Sequence, residues 1–142
     1  SFYYHFKDKY DLVNWIFYTD IIQIINKENV LTGSAWDLVE SISQYFYENK
    51  SFYGNALSVR GQNSFAEFYV DLIKKIVKAR FGEFLSGEDE ENMEFYIYFF
   101  IDAYIAATFR WILSGAKIPP DKFTKMLKKA AMGNAMVVLG NA

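Results

Sequence analysis

The chain has 142 residues, of which 52% are hydrophobic and 20% aromatic, and this length suits one domain that buries roughly two thirds of its unfolded surface. Its formal net charge of −2 excludes a general positive field that would attract nucleic acid. The chain has no cysteine, which excludes disulfides, iron–sulfur clusters and thiolate nucleophiles and is compatible with a cytoplasmic location.

The first twelve residues carry the most informative pattern. Phe2, Tyr3 and Phe6 fall on one helical face. Residues 7–9 then form a polar break, in which Asp8 can cap a new helix. This stretch resembles the end of the recognition helix and the start of the connecting helix in TetR/AcrR-type transcription regulators, with matching residues Tyr3, Tyr4, His5, Phe6, Lys7, Lys9 and Leu12.

The resemblance implies an all-α fold, a ligand-binding and dimerisation domain in residues 10–142, and the remnant of a helix-turn-helix domain in residues 1–9. It also implies contacts with operator DNA in the intact protein by Tyr3, Tyr4, His5 and Lys9. Because the chain begins in mid-helix without methionine, we expect a fragment that lacks most of its DNA-binding domain. Residues 2–15 further resemble the subgroup of dihydroxyacetone kinase regulators, some of which act through a protein partner.

The sequence contains no pattern that is typical of a catalytic or metal-binding site. His5 could ligate a metal or act as a general base, but a metal needs several converging donors and there is no second histidine or cysteine. Glu67 and Asp71 resemble half of a di-iron bundle, yet the required Glu-x-x-His pattern is absent. We therefore expect no catalysis, metal or cofactor. The alternative function is a small-molecule-binding or catalytic helical bundle unrelated to transcription.

Apolar periodicity and capping patterns predict about six helices and no strand. A long connecting helix is expected from Asp11 to about Asn26, and a second helix from Ser34 to Tyr47. Only a short third helix can follow Asn49, because serine and glycine interrupt the chain there.

The last three expected helices are longer. Ser64 and Glu67 form a capping box that opens the fourth, which ends before Ser86. The fifth spans residues 91–113 and stops at a glycine. The sixth spans residues 120–139 and opens with a proline, in the position that helix starts favour.

The excess of aromatic residues suits an apolar pocket with a few oriented hydroxyl groups. We expect an unidentified small-molecule effector to bind among Trp15, Tyr45, Tyr53, Phe68, Tyr69, Tyr104 and Trp111. The cavity itself is predicted between the helices that carry Tyr45, Phe68, Tyr69 and Tyr104. The alternative is that these aromatic side chains form the core.

The fifth helix is apolar on two sides and the sixth carries small residues, so we predict a two-fold homodimer built by both. The expected interface residues are Ala103, Ala106, Ala107, Arg110, Ala130, Ala131 and Ala135. Asp102 and Arg110 should form ion pairs with other helices or across the dimer, or else anchor a ligand. The same two charges offset the apolar gain of inserting residues 95–113 into a membrane, so we expect a buried helix of a soluble protein.

Overall fold

The computed structural model describes residues 8–28, 34–59, 64–81 and 90–139. Within these ranges every regular element is an α-helix, which confirms the predicted all-α fold of about six helices. The helices are α1 (Lys9–Glu28), α2 (Ala35–Glu48), α3 (Lys50–Ser58), α4 (Phe65–Phe81), α5 (Glu90–Leu113) and α6 (Pro120–Leu139).

Side-chain caps explain where three of the helices begin. The Asp8 carboxylate accepts a hydrogen bond from the Asp11 amide at 2.9 Å, at the start of α1. The Ser34 hydroxyl accepts one from the Trp36 amide at 3.2 Å, and the Ser64 hydroxyl accepts one from the Glu67 amide at 3.3 Å. Each cap satisfies a backbone donor that has no partner within its own helix.

The turn between α5 and α6 is closed by backbone hydrogen bonds of a type that is common at the C-terminal ends of helices. The Gly115 amide donates to the Ile112 carbonyl at 3.0 Å, and the Ala116 amide donates to the Trp111 carbonyl at 2.8 Å. Gly115 has φ of 95°, a left-handed conformation that glycine adopts without steric cost. The Trp111 ring stacks on Phe123 of α6 with centroids 4.3 Å apart, so the turn is tied to both helices.

An aromatic core joins the first four helices. Phe17 of α1 is completely buried at its centre. Its ring lies 4.9 to 5.7 Å, centroid to centroid, from Phe46, Tyr53, Phe65 and Tyr69. Aromatic side chains of this size bury large apolar areas, so this cluster stabilises the α1–α4 assembly.

The last two helices pack against different parts of this assembly. α6 lies mainly against α2, whereas α5 lies mainly against α3. Beyond their shared turn, α5 and α6 therefore have different main neighbours, although both also contact α2. This arrangement leaves space between them.

Candidate functional site

An apolar cavity of about 700 Å³ lies between α2, α4, α5 and α6. Its volume falls within the range typical of small-molecule sites, roughly 300 to 1,000 Å³. The branched and aromatic side chains along its wall are Trp36, Leu38, Val39, Ile42, Ile73, Ile76, Val77, Ile97, Phe100, Ile101, Tyr104 and Leu127. Such a lining favours an apolar molecule over water.

Small residues on the last two helices leave the cavity unfilled. Ala103 and Ala107 line it from α5, and Ala130 and Ala131 line it from α6. Ala103, Ala130 and the neighbouring Met132 are exposed, whereas the other lining side chains are buried or partly buried. The mouth of the cavity is therefore on the side formed by α5 and α6.

Polar side-chain groups are carried by three lining residues, Trp36, Arg80 and Tyr104. Tyr104 lies on α5. Its hydroxyl lies 2.9 Å from the hydroxyl of Tyr69, with which it shares a hydrogen bond. Burial raises the pKa of Tyr69 well above its ordinary value, and burial likewise raises the pKa of Tyr104. Both hydroxyls therefore stay protonated at neutral pH, and a neutral hydroxyl can both donate and accept a hydrogen bond.

A second tyrosine network lies outside the cavity, where it links the first three helices. The Tyr45 hydroxyl donates to the Asp20 carboxylate at 2.6 Å and also hydrogen-bonds the Tyr53 hydroxyl. Burial and the Asp20 hydrogen bond raise the pKa of Tyr45 far above its ordinary value. Burial raises the pKa of Tyr53 to about 12. These tyrosines tie α1 to α2 and α3.

The structure places the cavity closer to α6 than the sequence predicted. Of the seven aromatic residues expected to bind ligand, Tyr104 is part of the lining and the other six are not. Tyr45, Tyr53, Phe68 and Tyr69 instead pack in or against the aromatic core, because each lies on a face turned toward Phe17.

The two tryptophans in that set also lie away from the cavity. Trp15 is 52% exposed on α1. The Trp111 indole donates to the Ile118 carbonyl at 2.8 Å and stacks on Phe123, so it holds the α5–α6 turn. A role in ligand binding for these two side chains stays a prediction that the cavity does not support.

The residues expected at the dimer interface divide between two faces of α5 and α6. Ala103, Ala107, Ala130 and Ala131 line the cavity, whose mouth some of them form. Ala106 and Arg110 instead line a shallow groove of about 660 Å³ on the outer side of α5, next to Val70 of α4. The side chain of Ala135 lies outside the described part of the structure.

The outer side of α5 is exposed over most of its length. Phe95, Phe99 and Leu113 are 66%, 55% and 48% exposed. By length and composition, Glu91–Leu113 is the one segment among the described residues that could cross a membrane, a test that core helices of soluble proteins also pass. Here its other side is core, with Ile101, Ile105, Phe109 and Ile112 buried. Exposed aromatic rings in a row are typical of a protein–protein contact.

The expected DNA contacts fall largely outside the described residues. Tyr3, Tyr4 and His5 belong to residues 1–7, which lie outside the described part of the structure. Lys9 is exposed at the first position of α1, with its ammonium group 5.3 Å from the centre of the Tyr10 ring. In the ranges that the structure describes, no group of three or more acidic or histidine side chains is placed to hold a metal ion.

Comparison with known protein families identifies the family to which the chain belongs. The model of the family TetR_C_8, described as the transcriptional regulator C-terminal region, matches residues 34–133, from the cap of α2 into α6. No curated protein and no solved structure was found to match. The family match does not extend to the dihydroxyacetone kinase subgroup, which stays a prediction. Because the matched region covers well over half of the sequence, the chain belongs to the TetR family of transcriptional regulators and corresponds to the C-terminal region of these proteins.

Proposed function

We propose that the chain is the effector-sensing and dimerising part of a TetR-type transcriptional regulator, without catalysis of its own. The observation that carries this proposal is the apolar cavity of about 700 Å³ between α2, α4, α5 and α6. In the intact protein, operator DNA would be bound by helices that precede α1, and the regulator would act in the cytoplasm. The family match supports this function over a helical bundle unrelated to transcription.

The lining of the cavity defines the class of effector. Its branched and aromatic walls favour an organic molecule that is mostly apolar. The Tyr104 hydroxyl on the wall favours an effector with one hydrogen-bonding group, which would take part in the Tyr69–Tyr104 pair. Arg80 is the one charged residue of the described lining, and it already has an interaction of its own in the structure. We therefore propose a largely apolar effector rather than a sugar phosphate or another highly charged metabolite.

The exposed outer side of α5 supports dimerisation. A helix face about 27 Å long, from Phe95 to Leu113, is too small by itself for the roughly 800 Å² per partner that a stable interface needs. Exposed Met126 on α6, which does not line the cavity, would extend the contact. The proposed homodimer is therefore formed by α5 and α6 together.

The position of α5 supports coupling between the effector and the dimer. Tyr104 and Ala107 face the cavity, while Ala106 and Arg110 face outward from the same two turns. A ligand that moves this helix therefore moves the dimer contact with it, because a helix shifts as a unit. Such a movement would change the spacing of the two DNA-binding heads.

The test is effector binding by a cavity-filling variant. We expect thermal shift against a panel of neutral apolar compounds to identify ligands that stabilise the wild type, by about 2.7 kcal/mol at 100 times the dissociation constant. Ala107→Phe fills the cavity and should abolish the shift, because the ring occupies the space of the ligand. Ala79→Phe is the matched control, since Ala79 is exposed on α4 and does not line the cavity.

Two results would contradict the proposal. One is an equal thermal shift for wild type and Ala107→Phe, because the compound would then bind elsewhere. The other is preferential stabilisation by phosphorylated or highly charged compounds, which the apolar lining cannot accommodate without a large desolvation cost.

A further inference from the structure

The exposed face of α5 carries a sequence pattern that is symmetrical about its centre. Phe99, Asp102, Ala106, Arg110 and Leu113 follow one another at intervals of 3, 4, 4 and 3 positions. At 3.6 residues per turn, all five lie within about 40° of the direction of Ala106. All five are exposed, so they form one continuous strip on the outside of the protein.

We propose that α5 packs antiparallel against the same helix of a second copy, with the two-fold axis passing at Ala106. Asp102 of each subunit then forms an ion pair with the partner's Arg110, and Phe99 of each packs on the partner's Leu113. This register rests on the homodimer of the proposed function. The register adds to that proposal the identity of the residues that contact one another across the two-fold axis.

The symmetry of the strip selects this register. In an antiparallel two-fold contact, a residue four positions before the axis meets the residue four positions after it. An axis at Ala106 therefore brings acid to base and aromatic to aliphatic side chains, with small residues at the closest approach. An axis at Asp102 or at Arg110 would instead bring each of these charges against its own copy.

The charges of the strip also favour a partner over an internal pair. Asp102 and Arg110 are about 12 Å apart along the helix axis, too far to pair with each other on one helix. Neither side chain forms an ion pair or hydrogen bond in the part of the chain that the structure describes. Apolar Val70, Ile105 and Phe109 line the groove beside them. A second copy of α5 would offer each charge a partner and would cover Val70, the one of these three side chains that is not already buried.

Charge reversal tests the ion pairs in the 142-residue chain. Asp102→Arg and Arg110→Asp should each raise the dimer dissociation constant at least about 10-fold, because each places two like-charge pairs at the contact. The double variant Asp102→Arg/Arg110→Asp restores opposite charges and should return to within about threefold of the wild type. Glu94→Arg, an exposed reversal away from the strip, is the control. Analytical ultracentrifugation gives the constants, with circular dichroism as the check of folding.

A disulfide test locates the axis without relying on charge. The chain has no cysteine, so Ala106→Cys introduces a single thiol, and two copies should cross-link on oxidation because Ala106 meets its own copy. Leu113→Cys is the control, since the two copies of this position would be about 21 Å apart along the helices.

The outcomes separate the register from the dimer itself. A monomeric wild type would overturn the homodimer and the register with it. A dimeric wild type that tolerates both single reversals, or that cross-links through Leu113→Cys and not through Ala106→Cys, would overturn the register and leave the homodimer standing. Single variants that weaken the dimer without rescue by the double variant would overturn the Asp102–Arg110 pairing.

Discussion

The buried tyrosine hydroxyls satisfy one another in pairs, and this explains how so many can be placed inside an apolar bundle. Tyr69 and Tyr104 share one hydrogen bond, while Tyr45 and Tyr53 share another that also reaches Asp20. A buried hydroxyl without a partner costs about 1 to 3 kcal/mol, so each pairing avoids a penalty comparable to a sizeable part of total stability. The price of this arrangement is that no member of a pair can ionise easily.

Stability should therefore fall at alkaline pH. Below pH 10 the tyrosines are protonated in both states, so the free energy of unfolding does not depend on them. Above pH 10 the unfolded chain ionises first, because burial raises the pKa of Tyr53 to about 12 and that of Tyr69 higher still. The loss approaches about 1.4 kcal/mol per pH unit for each tyrosine that stays protonated only in the fold.

Urea unfolding at pH 8, 10 and 11 measures this loss. Tyr53→Phe should lower stability at pH 8 but give a shallower decline above pH 10, since one protonated hydroxyl has been removed. Tyr18→Phe, at an exposed position on α1, should leave the slope unchanged. A slope that is the same in all three proteins would show that the buried hydroxyls do not control the alkaline limit.

At the level of the helices, the sequence predicts where helices begin but does not predict which helices contact one another. Ser34, Ser64 and Asp8 mark helix starts in the sequence because a cap acts within three residues of itself. The choice of neighbour is different. Apolar periodicity shows that a helix buries a face, but it does not say whether α6 lies on α2 or on α5. The cavity depends on that choice, so aromatic residues of the core were predicted to line it.

Tyr104 was identified from the sequence, but the aliphatic wall was not. The lining of α2 and α4 consists of leucine, isoleucine and valine at ordinary helical spacing. Such residues look the same whether they contact another side chain or a cavity. The small size of the alanines in α5 and α6 predicts close contact between helices at the dimer interface. In the structure, several of these alanines line the cavity instead. A small residue indicates available room without saying what fills it.

The α5–α6 turn should respond to a backbone substitution that α3 tolerates. Gly115→Ala places a side chain at φ of 95° and should destabilise the fold by about 1 to 2 kcal/mol, because a left-handed conformation is strained with a Cβ atom. Gly54→Ala, in a helix where an added Cβ meets nothing within 4 Å, should instead stabilise by about 0.5 to 1 kcal/mol. Equal effects in thermal or chemical unfolding would argue against a special role for Gly115.

At the scale of the whole molecule, the chain combines an apolar cavity with an exposed face of α5. Its net charge is −2, so the chain as a whole has no overall attraction to phosphate groups. A recognition helix needs its companion helices to fix its direction in the major groove. We therefore expect that helices α1–α6 do not recognise operator DNA by themselves.

This chain alone should not bind operator DNA with sequence preference. Fluorescence anisotropy with the operator of the intact protein and with a scrambled duplex should give the same weak binding, with dissociation constants no tighter than about 10⁻⁶ M at physiological salt. The intact protein is the positive control, and its affinity should fall steeply with salt. Nanomolar binding by the chain itself, dependent on the base sequence, would contradict the expectation.

The open mouth of the cavity would set the timing of a response to the proposed effector. Ala103, Ala130 and Met132 are exposed around it, so an effector can enter without separation of packed helices. Arrival is then governed by diffusion and effector concentration, while departure is governed by the apolar contact made inside. A weakly bound effector would dissociate soon after its concentration falls. The proposed regulator would then respond to the current effector concentration and not to earlier exposure.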